Sequence, residues 1–346
     1  MANALVASSG LLLLACCALL CSAPPRLAGA APESAAGEKV ASANAATGAA
    51  SAAALTPSTS IGPVVAPAAH WVYCPAGSSP DAPLIFGLHG WSSSADDWMY
   101  ARPIANRLGW CMVAWDAPGT RFPPDPAEWP EEPWSLSDFA DAAIDLLDYL
   151  GRQKALFLGV SWGAATATQI ALRHPDRVIG IVAGGVGQGE PPLNFSEEEV
   201  DVIRERIMRC QSGDEAAWEE ARPEHDAAFY PGTRESVDYT WTKHTRSFRL
   251  PSNMIMLDTI RGIDFRPELA AIHDSGDVEL PPALFVSGDS DGHHSVESVH
   301  RLREAYGPQA QATIYLETGH IVQHERRAEF HDAVVTFAES VIQSDA

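Results

Sequence analysis

Residues 155–172 read Ala-Leu-Phe-Leu-Gly-Val-Ser-Trp-Gly-Ala-Ala-Thr-Ala-Thr-Gln-Ile-Ala-Leu, and the fold turns on Gly159-Val160-Ser161-Trp162-Gly163 within them. The apolar run Ala155–Leu158 has the character of a buried strand, and Ala164–Leu172 reads as a helix. A serine at so sharp a strand-to-helix turn has its hydroxyl pushed out above the sheet. Glycines on either side are needed because a side chain there would collide across the turn. Gly and Ser are common residues, so the pentapeptide gains its meaning from this context.

A serine hydroxyl is a poor nucleophile at neutral pH and needs a base, and the base needs an orienting acid. Downstream, Pro282–Ser287 is apolar and ends in Gly288-Asp289-Ser290-Asp291. A further run, Ala312–Leu316, ends in Glu317-Thr318-Gly319-His320. An acid and a histidine thus each follow the end of an expected strand, and the order along the chain is Ser, Asp, His. Upstream, Pro83–Leu88 leads into His89-Gly90-Trp91-Ser92-Ser93-Ser94, and Cys111–Trp115 into Asp116-Ala117-Pro118-Gly119-Thr120.

These four motifs, in this order, resemble the α/β-hydrolase fold family from about Trp71 to about Ile342. The resemblance implies a mostly parallel sheet of the eight-stranded type, flanked by helices, with its ligand crevice at the C-terminal edge of the strands. It implies Ser161 as nucleophile, His320 as base and an acid three residues after the glycine, which selects Asp291 over Asp289. It also implies an oxyanion hole made by the backbone N–H groups of Trp91 and Trp162. The Asp-x-Pro-Gly turn departs from the family after Gly119, where Thr120-Arg121-Phe122-Pro123-Pro124 replaces the usual ending.

The composition fits that reading. The chain has 346 residues, 46% of them hydrophobic, enough for a buried core. Apolar runs alternate with helical patterns from Leu84 onward, which argues a parallel sheet covered on both faces. Helices are expected over Leu136–Leu150, capped by Ser135 or Ser137, over Val296–Tyr306 and over Glu325–Ile342. The alternation lapses between about 188 and 272, read as a helical cap. Ser196 and Glu199 open it like a capping box, and further helical segments follow around Trp218 and Met254–Ile260. Gly184–Gly189 follows the wrong strand for a dinucleotide site and reads as the hinge into the cap.

Leu11–Leu20 is apolar but short for a bilayer span, and Ala28-Gly29-Ala30 has the small-x-small shape of a signal-peptidase site. Residues 1–30 therefore read as a secretory signal, although residues 1–10 hold no Lys or Arg. The expected location is secreted or periplasmic, with organelle targeting as the alternative. Residues 31–69 are rich in Ala, Ser, Thr, Pro and Gly and read as a linker, leaving 70–346 as the hydrolase domain. Of six cysteines, Cys16, Cys17 and Cys21 would leave with the signal. Cys74, Cys111 and Cys210 remain, with Cys74 and Cys111 expected as buried free thiols. Asn194-Phe195-Ser196 is a glycosylation sequon, meaningful only in a secreted eukaryotic protein.

Twenty-three Lys plus Arg stand against 45 Asp plus Glu, a net charge of −22. Such a balance repels nucleic acid and anionic membranes. No P-loop, Rossmann fingerprint or Cys-x-x-Cys occurs, so no cofactor and no structural zinc are expected. His89 reads as a residue that structures its loop, His293 and His294 as solvated loop histidines, and His324 as a surface residue. Trp91, Trp98, Trp115, Trp129, Trp134 and Trp162 crowd the segments around the expected mouth.

The function expected is hydrolysis of a carboxylic ester of a small to medium apolar substrate through an acyl-enzyme. Alternatives on the same fold are a proline-iminopeptidase-like aminopeptidase, a C–C bond hydrolase and a cofactor-free haloperoxidase. An aminopeptidase would hold the substrate amine with Glu197, Glu198, Glu219 or Glu220. A non-catalytic binding protein is the alternative of another class. The expected partner is a small-molecule substrate, with no stable membrane insertion after signal removal and the oligomeric state left open.

Overall fold

A computed structural model describes residues 70–79, 81–120, 134–187, 197–212, 214–247, 256–260 and 263–344. The expected signal segment, the linker 31–69, Trp129, Ser196 and the sequon fall outside the described residues.

The apolar runs become strands: β1 His70–Tyr73, β2 Leu84–Leu88, β3 Cys111–Trp115, β4 Ala155–Val160, β5 Val178–Gly184, β6 Ala283–Gly288 and β7 Ala310–Tyr315. They form one sheet in the order β1-β3-β2-β4-β5-β6-β7. All neighbours are parallel except β1, which runs antiparallel to β3. Sequence reading expects the eight-stranded type, and seven strands are present among the described residues.

Side-chain alternation sorts the core onto two faces. Phe86, Phe157, Trp115 and Phe285 pack on one side. Ile85, Leu156, Leu158, Met112 and Val286 pack on the other. Both faces are buried because helices cover both. In chain order they are α1 Arg102–Leu108, α2 Leu136–Tyr149, α3 Trp162–Arg173, α4 Glu197–Gln211, α5 Glu215–Ala227, α6 Arg234–Ser247, α7 Arg266–Ser275, α8 Val296–Tyr306, α9 Val322–Glu325 and α10 Arg327–Ser344. Phe139 and Ile144 of α2 and Ile170 of α3 join the first face. Ile104 of α1 and Val334 and Phe337 of α10 join the second.

Helix starts follow local chemistry. Ser135 caps α2 with a complete capping box closed by Asp138. Ser295 caps α8 in the same region of φ/ψ space by accepting from Ser298 N. The C-terminal helix expected over Glu325–Ile342 is α10; it starts at Arg327 because Arg326 leaves helical geometry at φ −129° and ψ 53°, which separates it from the short α9. Helices α4 to α7 and a helical turn at 256–260 lie between β5 and β6.

Cys74 and Cys111 are not free thiols but a disulfide. The antiparallel register explains it. Tyr73 sits opposite Met112, so the next pair outward is Cys74 and Cys111, with Cα atoms 4.2 Å apart.

The order of the sheet reverses between β2 and β4: the chain leaves β2 toward β3 on one side, then continues with β4 on the other. Crevices form at such a switch point, outside the carboxyl ends of the strands.

Candidate active site

Ser161 stands at that switch point. It follows β4 directly and is the N-cap of α3, with φ 53° and ψ −121°. A non-glycine residue held there is strained, and strain of this kind collects at functional sites. The flanking glycines have a measurable reason. A Cβ on Gly159 would lie 2.2 Å from the carbonyl oxygen of Gly163, and one on Gly163 would lie 2.2 Å from that of Leu88. Ser161 N donates to Gly184 O at 2.7 Å, extending the β4–β5 ladder one residue and pinning the turn.

His320 enters from beyond β7 and Asp291 from beyond β6. The imidazole Nδ1 lies 3.0 Å from each carboxylate oxygen of Asp291. Their side chains are 3% and 0% exposed. Asp291 Oδ1 also accepts the backbone N–H groups of His293 at 2.8 Å and His294 at 3.2 Å. Burial alone would raise the Asp291 carboxyl, but the charge and hydrogen bond of His320 outweigh it and hold the group far below the usual carboxylate range. Ionised Asp291 accepts the hydrogen bond of Nδ1–H, so in the neutral imidazole the lone pair sits on Nε2. That nitrogen is buried and has no hydrogen-bond partner. Asp289 sits elsewhere: exposed, it accepts from Thr318 N at 3.2 Å and Ser290 Oγ at 3.0 Å and fixes the turn between the two loops.

Ser161 and His320 line one pocket with Gly90, Trp91, Ser93 and Asp97 from the segment after β2. His225, Ala228 and Phe229 line it from α5 and its end, and His293, Ile321 and His324 complete it. Trp91 and Trp162, the sequence candidates for oxyanion donors, are both buried and follow His89-Gly90 and Ser161. The Trp162 side chain is core, edge-on to Phe139 and donating Nε1–H to Thr259 Oγ1 at 2.8 Å. Its backbone N–H lies in the first turn of α3, at the positive end of the helix.

His89 is fully buried and supports this loop. Its Nε2 accepts the N–H of Ala117 at 3.0 Å, so the proton is on Nδ1, which donates to Gly90 O at 2.7 Å. Both nitrogens are used, and the ring has no lone pair left to act as a base. The Asp-x-Pro-Gly turn thus buttresses the His-Gly loop, and Asp116 accepts Ala95 N at 2.7 Å.

Two histidines depart from the sequence expectation. His293 is half-buried rather than solvated: it lines the pocket with its ring edge-on to His320, 4.4 Å between centroids. Burial, aided by the nearby His320 charge, lowers its pKa well below the ordinary value. His324, on α9, is buried rather than superficial and lines the pocket. There it meets Tyr100 and Tyr239 and lies 3.7 Å from Asp97. Asp97 in turn accepts the hydroxyl of Ser93. Of the tryptophans, Trp98 and Trp115 are core, Trp134 packs on Phe139, and Trp91 alone of those described reaches the pocket.

The glycine stretch read as a hinge has a further reason. Gly185 has φ 64°, and a Cβ there would stand 2.9 Å from the ring of His320. The imidazole rests on bare backbone. His225 and Asp97 escaped sequence reading because neither lies in a motif, and adjacent His-Asp pairs such as His225-Asp226 are unremarkable in a polar helix.

Among the described residues no group of three or more His, Cys, Asp or Glu side chains is arranged to hold a metal ion. Nor is any helix among them long and apolar enough to cross a membrane.

The alpha/beta hydrolase fold family matches residues 83–327, and the chain belongs to that family. It is 29% identical over 113 residues to epoxide hydrolase B of Mycobacterium tuberculosis, a stretch covering 32% of this chain and 31% of that protein. It is 31% identical over 125 residues to the pimeloyl-[acyl-carrier protein] methyl ester esterase of Hamiltonella defensa, covering 36% and 42% respectively. The chain therefore matches less than half the length of these curated relatives. Among solved structures, the enol-lactonase of Burkholderia xenovorans LB400 superposes with a TM-score of 0.61 at 21% identity, over 78% of this chain and 95% of that one.

Proposed function

We propose that the protein is a serine hydrolase that cleaves carboxylic esters through an acyl-enzyme. Ser161 Oγ attacks the acyl carbon and gives its proton to His320 Nε2. His320 then delivers that proton to the leaving alcohol, and water, activated by the same nitrogen, releases the acid. Asp291 holds the tautomer and stabilises the imidazolium. The N–H groups of Trp91 and Trp162 hold the oxyanion, and losing one such donor costs about 3 kcal/mol of transition-state stabilisation. The observation that carries the reading is the buried His320–Asp291 pair, with Nε2 unpartnered in the pocket that contains Ser161.

The nucleophile also bears on the epoxide-hydrolase similarity. Attack of a serine oxygen on an epoxide carbon forms an ether, which water does not cleave under these conditions. Attack on an ester forms a new ester, which it does. A hydroxyl at position 161 therefore turns over on acyl substrates.

The aminopeptidase reading lacks support from the glutamates that were candidates for it. Glu198 is exposed and Glu220 pairs with Arg209 at 3.2 Å, and neither lines the pocket. The side chains of Glu197 and Glu219 fall outside the described residues.

A fluorophosphonate probe tests the mechanism: labelling at Ser161, lost in Ser161→Ala together with p-nitrophenyl ester hydrolysis, is the expected result. Folded protein that labels elsewhere, or not at all, would leave a non-catalytic binding protein as the better reading. We also infer export to an oxidising compartment, supported by the Cys74–Cys111 disulfide and the N-terminal pattern. Recovery of the protein only from the reducing cytosol, with residues 1–30 still attached, would sink that inference.

A further inference from the structure

The pocket holds a second imidazole backed by a carboxylate. His225, on α5, has a side chain only 2% exposed, and its Nδ1 lies 3.0 Å from Asp226 Oδ1. The ring is clamped between Phe229 and Trp241, each 4.9 Å away by centroid. Arg222 lies over the Trp241 ring, 4.7 Å from its centroid.

Its protonation follows from its neighbours. Burial is the largest influence and lowers the His225 pKa, outweighing the hydrogen bond to Asp226. Asp226 is ionised: burial would raise it, but His225, Arg222 and Arg234 hold it low. The proton of the neutral ring therefore sits on Nδ1, donated to Asp226, and Nε2 carries a lone pair.

That lone pair has no partner. Nε2 is buried, and His225 is one of the residues lining the pocket. A buried acceptor left unmatched is costly and calls for a ligand or a water. A second catalytic base is a poor account of it. Asp226 is already neutralised by Arg222 at 2.7 Å and Arg234 at 2.7 Å, so it offers a developing imidazolium far less than Asp291 offers His320.

We propose that His225 Nε2 accepts a hydrogen bond from a hydroxyl or amide N–H of the substrate. This makes the enzyme selective for esters that carry such a donor near the reacting carbonyl, over wholly apolar esters of the same size. The proposal rests on Ser161 being the nucleophile. No bond is made or broken at His225. It is a specificity residue, and the only polar side chain that α5 and its end bring to the pocket lining among the described residues.

The test uses the full chain and matched p-nitrophenyl esters: butyrate against 2-hydroxybutyrate, 3-hydroxybutyrate and N-acetylglycinate. The wild-type protein should prefer at least one donor-bearing ester by about tenfold or more in kcat/KM. His225→Phe keeps the ring between Phe229 and Trp241 and removes the acceptor. It should erase that preference, lowering kcat/KM for the donor-bearing ester about tenfold more than for butyrate. His225→Asn serves if the phenylalanine does not fold, since its shorter amide no longer presents the acceptor at the same place. A wild-type protein with no preference for any donor, or a variant that loses butyrate and hydroxybutyrate turnover equally, overturns the proposal. Loss of labelling at Ser161 in the wild-type protein is a different failure, that of the nucleophile assignment itself.

Discussion

The backbone N–H of His320 donates to the carbonyl of Ala228 at 2.9 Å. The candidate base is thus fastened to the end of α5, a helix inserted between β5 and β6, and not only to the sheet. Glu325 doubles the fastening. One of its oxygens accepts Gly319 N at 3.0 Å, Tyr230 N at 3.1 Å and Thr233 Oγ1 at 2.7 Å, and the other accepts Ile321 N at 3.2 Å. The residues on both sides of His320 are therefore held by one carboxylate, which also grips the segment after α5.

Glu325→Ala should release this joint. Small displacements of a catalytic group cost on the order of 100-fold in rate, so kcat should fall by about that much with KM little changed. Stability should drop by about 1–3 kcal/mol as charge-assisted acceptors vanish. Steady-state kinetics and urea unfolding check both. A variant with wild-type kcat would show that the loop holds itself.

Asp291→Asn should lower kcat by about 10⁴-fold, because the amide presents an N–H to Nδ1 and favours the wrong tautomer. Asp289→Asn should leave kcat within about threefold. It weakens only an exposed turn, and such hydrogen bonds contribute about 1 kcal/mol. Ester hydrolysis of the two variants settles the ranking, and the reverse order would transfer the role to Asp289.

Acid should destabilise the fold at a mild pH. His225 and His293 have folded pKa values lowered by burial, the latter strongly. Below the unfolded value of about 6.5 the unfolded chain takes up these protons and the native state resists. Stability is thus fully present above about pH 6.5 and declines as pH falls beneath it, by up to about 1.4 kcal/mol per pH unit for each histidine. Urea unfolding from pH 7.5 to 5.5 measures the slope, which His225→Phe should reduce. A flat profile would mean that neither ring has a lowered pKa in the native state.

The sheet, its helices and the elbow were legible because their causes are local. Apolar runs of strand length, Ser135 with Asp138 at α2 and the glycines around Ser161 each carry their reason within a few residues. The surroundings of the pocket were not legible. His324 lies between Tyr100 and Tyr239 and near Asp97, residues supplied by separate parts of the chain. Nothing next to it in sequence announces burial. The disulfide was missed for a similar reason: pairing Cys74 with Cys111 requires knowing that β1 runs antiparallel to β3, and most strands here are parallel. Gly185 was read as a hinge because its actual neighbour, the ring of His320, comes from far downstream.

Replacing Cys74 and Cys111 by serine should lower the unfolding free energy by about 3–4 kcal/mol, for a cross-link spanning 37 residues of sequence. Thermal unfolding with and without reductant measures it. Identical midpoints would indicate that the edge is held by β1 pairing alone.

That cross-link also bears on how the protein behaves toward copies of itself. β1 is four residues long and ends the sheet. If it detached, β3 would present Cys-Met-Val-Ala-Trp, uncharged and apolar, with its backbone groups unpaired. Such an edge is a template on which another chain can add a strand, and segments of this composition drive aggregation. The disulfide ties the short strand in place at the point where peeling would start. In a reducing environment the protein should therefore be lost first to precipitation, at a temperature where the remainder of its core is still intact.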